Sequence, residues 1–210
     1  MDKAYLLTTL LGLLAQGFFS ARILVQWYTS EKARTLTSPA LYWVFSLIGS
    51  YLMFVYGWCR NDFSIIFGQL ISYYVYLWNL NAKGIWKQIA TILRVVLVAT
   101  PVVAICMVMS NAGEFFRNFL RNDDIPLWLV VFGSLGQVIF TFRFVYQIIC
   151  SMKCGMSVLP LTFWIISLIG SGTIIAYAII RKDIVLLLGQ GFGFVAYLRN
   201  IMIGTSSRKD

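Results

Sequence analysis

Apolar residues in this chain gather into seven long runs separated by short polar stretches. The runs cover about Tyr5 to Tyr28, Ala40 to Cys59, Phe63 to Leu80, Ile89 to Ser110, Pro126 to Ile149, Pro160 to Ile180 and Ile184 to Ile203. Each is close to the roughly 20 residues that an α-helix needs to cross a bilayer. Seven strands of such length and apolarity could not close a barrel with every backbone group satisfied, so the runs predict helices. The first run carries Gln16 and Arg22 and lacks a basic start followed by a small-residue cleavage site, so it reads as a span and not as a cleaved leader. The expected fold is an all-α integral membrane protein with seven transmembrane helices.

The polar positions inside the runs repeat. A shift of 121 residues lays Gln16 to Leu80 on Gln137 to Ile201 without a gap, and 21 of the 65 positions are identical. They include Gln16/Gln137, Arg22/Arg143, Gln26/Gln147, Pro39/Pro160, Trp43/Trp164, Tyr56/Tyr177, Arg60/Arg181, Asp62/Asp183, Tyr76/Tyr197 and Asn79/Asn200. The runs Ser46 to Ser50 and Ser167 to Ser171 also match, as do Gly68-Gln69 and Gly189-Gln190. Unrelated membrane helices share Leu, Ile and Val, whereas Arg, Gln and Asn in register mark a duplicated unit. The layout is a first three-helix repeat over 1–84, a linker helix and loop over 85–125, and a second repeat over 126–210. Three helices are an odd number, so the linker helix restores the direction and both copies run the same way across the membrane, a 3+1+3 arrangement of parallel repeats.

Composition narrows the classes. At 60% hydrophobic residues and a mean hydropathy of +0.79, a soluble domain of this size is excluded. The net charge of +9 reads as membrane topology, and no motif points to nucleic acid. Loops on the amino-terminal side hold Lys3, Arg60, Arg117, Arg121, Arg181 and Lys182; the other side holds Lys32, Arg34, Lys83, Lys87, Lys153, Arg208 and Lys209. The positive-inside count leans towards an external N-terminus and a cytoplasmic C-terminus in a bacterial inner membrane. Cys59, Cys106, Cys150 and Cys154 lie in or beside spans and read as free apolar thiols. No histidine is present, which removes the usual nucleophile–base pairs and makes a metal centre unexpected. No catalytic residue, metal ligand or cofactor is assigned.

The candidate chemistry is the polar set within the spans. Arg22 and Gln26 are four residues apart and share a helix face, as do Arg143 and Gln147. A charge in the bilayer is costly and normally faces a cavity or a partner, although an arginine near a helix end also snorkels to the interface. Recurrence of Arg-x-x-x-Gln in both copies favours a functional cavity between the two bundles. Arg94 has no counterpart and reads as a snorkelling residue. Gln69 and Gln190, with Gly68 and Gly189 beside them, are read either as site amides or as helix-packing contacts. Asn79, Asn200, Trp43 and Trp164 complete the candidate substrate-binding set. The two serine-flanked runs read as close helix contacts, Pro39 and Pro160 as helix starts, and Asp62 and Asp183 as loop ion pairs.

These residues carry a family resemblance. Gly136-Gln137, Phe140, Arg143-Phe144, Gln147, Pro160, Phe163-Trp164, Ser167-Leu168, Gly170, Tyr177, Arg181, Asp183, Gly189-Gln190 and Tyr197-Leu198-Arg199-Asn200 resemble the lipid A biosynthesis N-terminal domain family. Repeat 1 matches through Phe19, Arg22, Leu24 to Trp27, Ser30-Glu31, Pro39, Trp43, Gly68-Gln69, Tyr76 and Asn79. It departs at Ala15 and Trp78, and repeat 2 departs at Ile148 and Met152. The layout is also similar to the triple-helix bundles of SWEET transporters, PQ-loop proteins and the KDEL receptor, without the Pro-Gln pair, since Ala40 and Leu161 follow the prolines.

The resemblance implies a place in lipid A or lipid-linked sugar metabolism. Because 210 residues nearly all in membrane leave no room for a nucleotide-sugar fold, the chain is not expected to be an enzyme alone. One reading is binding or translocation of an anionic glycolipid or a polyprenyl-phosphate-linked sugar, with arginines for phosphate and amides for hydroxyls. A second is a SWEET-like facilitator of a small soluble sugar or metabolite. A third is a non-catalytic membrane partner of a glycosyltransferase. The parallel repeat makes a direct prediction: topology reporters fused at Lys32 and at Lys153 report the same side of the membrane, and opposite sides would refute it.

Overall fold

The computed structural model describes residues 3–59, 63–110, 113, 126–182 and 184–207. Among them are seven α-helices and no strand: α1 (Lys3–Ala33), α2 (Ala40–Cys59), α3 (Phe63–Ala82), α4 (Thr91–Ser110), α5 (Leu127–Cys154), α6 (Leu161–Arg181) and α7 (Ile184–Ser206). A single 3-10 turn at Trp86–Gln88 lies ahead of α4. Each apolar run therefore forms its helix. Asp62 and Asp183, read as loop ion pairs, lie outside the described residues, as do Arg60, Arg117, Arg121, Arg208 and Lys209 of the charge count.

The helices that overrun their apolar stretches do so where the sequence turns polar. Helix α1 continues five residues past Tyr28 and α5 five past Ile149, each adding a lysine, Lys32 or Lys153, in its last turn. A cation there complements the partial negative charge of the helix C-terminus. Helix α5 ends at Gly155 with φ 67°, and Arg34, the matched position 121 residues earlier, adopts φ 52°. The same left-handed stop thus survives in repeat 1 without its glycine. Pro39 and Pro160 stand immediately ahead of α2 and α6, where a missing N–H breaks no helical hydrogen bond.

Among the described residues, three helices are long and apolar enough to cross a membrane, over Leu6–Ala33, Val131–Cys154 and Leu161–Arg181, and Ala40–Tyr56 and Thr91–Val103 are shorter apolar helices. The surface agrees with association with a membrane. Ile92 is 81% exposed and Leu13 64%, whereas Gln26, Gln147, Asn79 and Asn200 are fully buried. That inverts the order found in water-soluble proteins.

The chain divides into two compact units: unit 1 is Met1–Arg22 with Ala40–Asn122, and unit 2 is Ile23–Pro39 with Asp123–Asp210. The division cuts α1 between Arg22 and Ile23, whereas the sequence repeat keeps that helix whole. Within each unit the same contacts recur at the 121-residue offset. A Cβ at Gly12 would lie 2.8 Å from the Tyr56 ring, and one at Gly133 would lie 2.7 Å from the Tyr177 ring. A Cβ at Gly49 would meet the Phe19 ring at 2.8 Å, and one at Gly170 would meet the Phe140 backbone at 2.8 Å. The serine-flanked runs are therefore close helix contacts. Gly189 is different: a Cβ there meets nothing within 4 Å, so it supports no tight helix approach.

These spacings separate two glycines of similar sequence context. Gly170→Ala forces backbone apart and is expected to lower stability by about 1–3 kcal/mol, whereas Gly189→Ala leaves the thermal midpoint unchanged or slightly raised. Thermal unfolding of the two purified variants in detergent checks this, and equal midpoints would contradict the Gly170 contact.

Candidate functional site

The two arginines sit in aromatic boxes, one in each unit. In unit 1, Arg22 of α1 is 7% exposed, and its Nη1 donates to Ser46 Oγ at 3.1 Å and to Tyr76 Oη at 3.0 Å. Its guanidinium carbon lies 4.6 Å from the Phe19 ring centre, 5.5 Å from Tyr42 and 5.8 Å from Tyr76. In unit 2, Arg143 of α5 is 2% exposed and donates through Nη1 to Tyr197 Oη at 3.3 Å. Phe140, Phe144, Phe163 and Tyr197 surround it at 3.5, 4.7, 5.6 and 5.6 Å. Phe19/Phe140, Tyr42/Phe163 and Tyr76/Tyr197 correspond at the 121-residue offset, whereas Phe144 stands where repeat 1 has Ile23.

Both guanidinium groups are buried within their units. Removing a cation from water costs several kcal/mol, and desolvated aromatic faces return about 2 kcal/mol each at best. Fully buried Trp43 and Trp164 form the next layer, 6.1 Å from the Tyr76 ring and 5.9 Å from the Tyr197 ring. Arg94 reaches back from the first turn of α4 to the Ile89 carbonyl at 2.8 Å.

The two glutamines do related work one turn further along. Gln26 Nε2 donates to Ser30 Oγ at 2.9 Å and to the Thr37 carbonyl at 3.5 Å, and the Thr37 amide donates to Ser30 Oγ at 3.0 Å. Gln147 repeats this with Ser151 Oγ and the Val158 carbonyl, both at 2.8 Å, and the Val158 amide donates to Ser151 Oγ at 3.0 Å. Each Gln-x-x-x-Ser pair thereby ties the chain that follows its helix back onto that helix. Ser30 and Ser151, identical at the repeat spacing, are not among the expected site residues. Neither are Tyr76 and Tyr197, because a tyrosine in an apolar run reads as core until its hydroxyl is placed.

Gln26 also exchanges two hydrogen bonds with Asn200 of α7 within unit 2: its Nε2 donates to Asn200 Oδ1 at 2.8 Å and Asn200 Nδ2 donates back to Gln26 Oε1 at 2.9 Å. One residue away along α7, Arg199 holds Glu31 with both Nε and Nη2 in an exposed bidentate pair. Glu31 and Arg199 stand where the other repeat has Met152 and Trp78, so the residues that keep the pattern at two of the positions of departure meet as one ion pair. Asn79 and Asn200 each donate to the carbonyl four residues earlier in their own helix. Gln69 Oε1 accepts from Ser50 Oγ at 2.9 Å, and the half-buried Gln190 accepts from Ser171 through its backbone carbonyl at 3.3 Å. Of the expected set, then, the structure brings Arg22 near Trp43, Arg143 near Trp164, and Gln26 onto Asn200.

Comparison with known proteins identifies the repeat. The Lipid A Biosynthesis N-terminal domain model matches residues 11–81 and again 132–202, the same 121-residue offset. The lipid-A-disaccharide synthase of Chlamydia pneumoniae is 30% identical over 199 residues, which are 92% of this chain and 33% of that protein. That of Chlamydia caviae is 30% identical over 204 residues, and that of Chlamydia trachomatis serovar D is 27% identical over 209. The chain spans about a third of the length of these relatives. No solved structure matches it, and the likeness to SWEET, PQ-loop and KDEL-receptor bundles gains no support from the comparisons.

The reciprocal amide pair is open to direct measurement. In a double-mutant cycle, Gln26→Leu and Asn200→Leu are expected to couple favourably by about 0.6–1.5 kcal/mol in unfolding free energy, the range for interhelical polar contacts in membranes. Strict additivity would show that the pair carries no interaction.

Proposed function

The chain belongs to the lipid A biosynthesis N-terminal domain family, and on that premise we propose that it is a seven-span, non-catalytic module of the bacterial inner membrane. It binds an anionic, sugar-bearing lipid, a phosphorylated glycolipid or a polyprenyl-phosphate-linked sugar, and presents or translocates it for a glycosyltransferase partner. The N-terminus lies outside and the C-terminus in the cytoplasm. The relation to lipid A metabolism comes from the family and from its lipid-A-disaccharide synthase relatives.

One observation carries the choice of ligand. Arg143 is almost completely buried, no described carboxylate pairs with it, and its Nε has no hydrogen-bond partner. A buried cation that its own protein leaves uncompensated favours an anionic guest, and guanidinium–phosphate contacts are about twice as strong as neutral hydrogen bonds. A facilitator of neutral sugars would rely on the amides and tryptophans instead. Gln26, Asn200 and Gln69 already bond within the protein, which weighs against that alternative.

Native mass spectrometry of the purified protein with a polyprenyl phosphate tests the reading. Arg143→Gln is expected to weaken binding at least tenfold while the protein stays folded in the membrane. Arg143→Lys restores it in part, since lysine returns the charge without the fork. Unchanged phosphate-lipid binding by Arg143→Gln, or protein-dependent uptake of a labelled neutral sugar into vesicles that survives this substitution, would overturn it.

A further inference from the structure

The two arginine boxes match at most positions, yet they are not equally provided with partners. Arg22 Nη1 donates to two hydroxyls, Ser46 and Tyr76. Arg143 Nη1 donates to Tyr197 alone; Ser167 and its counterpart Ser46 both donate to the carbonyl four residues earlier at 2.6 Å, but only Ser46 also accepts from its arginine. The Nε of each arginine is buried with no acceptor, and in unit 2 the indole Nε1 of Trp164 is as well. Both residues pack on Tyr197: the guanidinium carbon is 5.6 Å from its ring centre and the indole ring 5.9 Å.

Buried N–H groups without partners are rare, and two around one tyrosine call for a common explanation. Both are donors. The Tyr197 hydroxyl already accepts from Arg143, which leaves its own proton to donate onward. The walls of the site are the faces of Phe140, Phe144 and Phe163, which exclude water and supply no strong acceptor. A sugar hydroxyl placed here brings a proton of its own that needs an acceptor. An oxyanion brings only lone pairs, together with the negative charge that the guanidinium lacks.

Resting on the lipid-phosphate reading above, we infer that unit 2 carries the principal oxyanion subsite of this protein, in which Arg143, the Trp164 indole N–H and the Tyr197 hydroxyl hold a phosphate group. Trp164 and Tyr197 then act as binding residues and not only as core. The two copies of the duplicated unit have divided their roles: the Arg22 box is the more fully bonded, and the Arg143 box takes the ligand. The phosphate belongs either to a lipid headgroup or to a free anion, and the experiment separates these sources.

Binding of a polyprenyl phosphate, the corresponding polyprenol and inorganic phosphate is measured by native mass spectrometry on the full chain, with thermal midpoints as the folding control. Trp164→Phe and Tyr197→Phe are each expected to weaken polyprenyl phosphate binding by about tenfold, the loss of one hydrogen bond to a charged group. Arg22→Gln weakens it less than Arg143→Gln, and the polyprenol does not bind. Tyr197→Phe removes a single oxygen and keeps the ring, so it decides the outcome if Trp164→Phe does not fold. If both conservative variants bind like the parent while Arg143→Gln does not, the subsite is wrong and the lipid-phosphate reading stands. If Arg143→Gln also binds like the parent, both fall. Equal losses at Arg22 and Arg143 refute the division of roles. Inorganic phosphate binding as tightly as the lipid supports the subsite with a soluble anion as its ligand and overturns the lipid source.

Discussion

A polar or charged group inside an apolar structure must find its partners within the protein, and much of this molecule is arranged to meet that demand. The guanidinium groups of Arg22 and Arg143 are the most demanding cases. Each is enclosed by aromatic faces and reached by a tyrosine hydroxyl from the third helix of its repeat. To bring that tyrosine and the second helix close enough, the helices must approach tightly, which explains small residues at Gly49 and Gly170 against Phe19 and Phe140. The aromatic faces and the glycine contacts therefore serve one electrostatic requirement, met twice in the same chain.

The helical architecture was legible because its cause is local. Runs of about 20 apolar residues and a repeat read in Arg, Gln and Asn need no knowledge of long-range contacts, and the helices fall on them with changes of a few residues at their ends. Partnerships were less legible. Nothing near Gln26 in the sequence announces that it meets Asn200, because that contact depends on the placement of a helix 174 residues away. That the glutamines also tie down the chain following each helix was likewise out of sight. The division of α1 between two units was equally hidden, since a continuous helix leaves no mark at Arg22.

One difference between the copies involves an ion pair. Glu31 and Arg199 face each other across unit 2, and the positions that match them in the other repeat, Met152 and Trp78, have both become apolar. The pair is exposed, so either charge stays hydrated without the other. Arg34 and Gly155 show another difference: both hold a left-handed backbone, and only one copy keeps the residue that does so without strain. The duplication has preserved the burial of charge more strictly than the chemistry of its rim.

The amide pair between α1 and α7 also sets a schedule for synthesis. Gln26 leaves the ribosome 174 residues ahead of Asn200, which at roughly 5–20 residues per second is a delay of about 9–35 s. Over that interval α1 carries a side chain whose final partner has not yet been made. Ser30 and the Thr37 carbonyl, close by in sequence, are available to it from the outset. Helix α1 is thus completed only when α7 has been made.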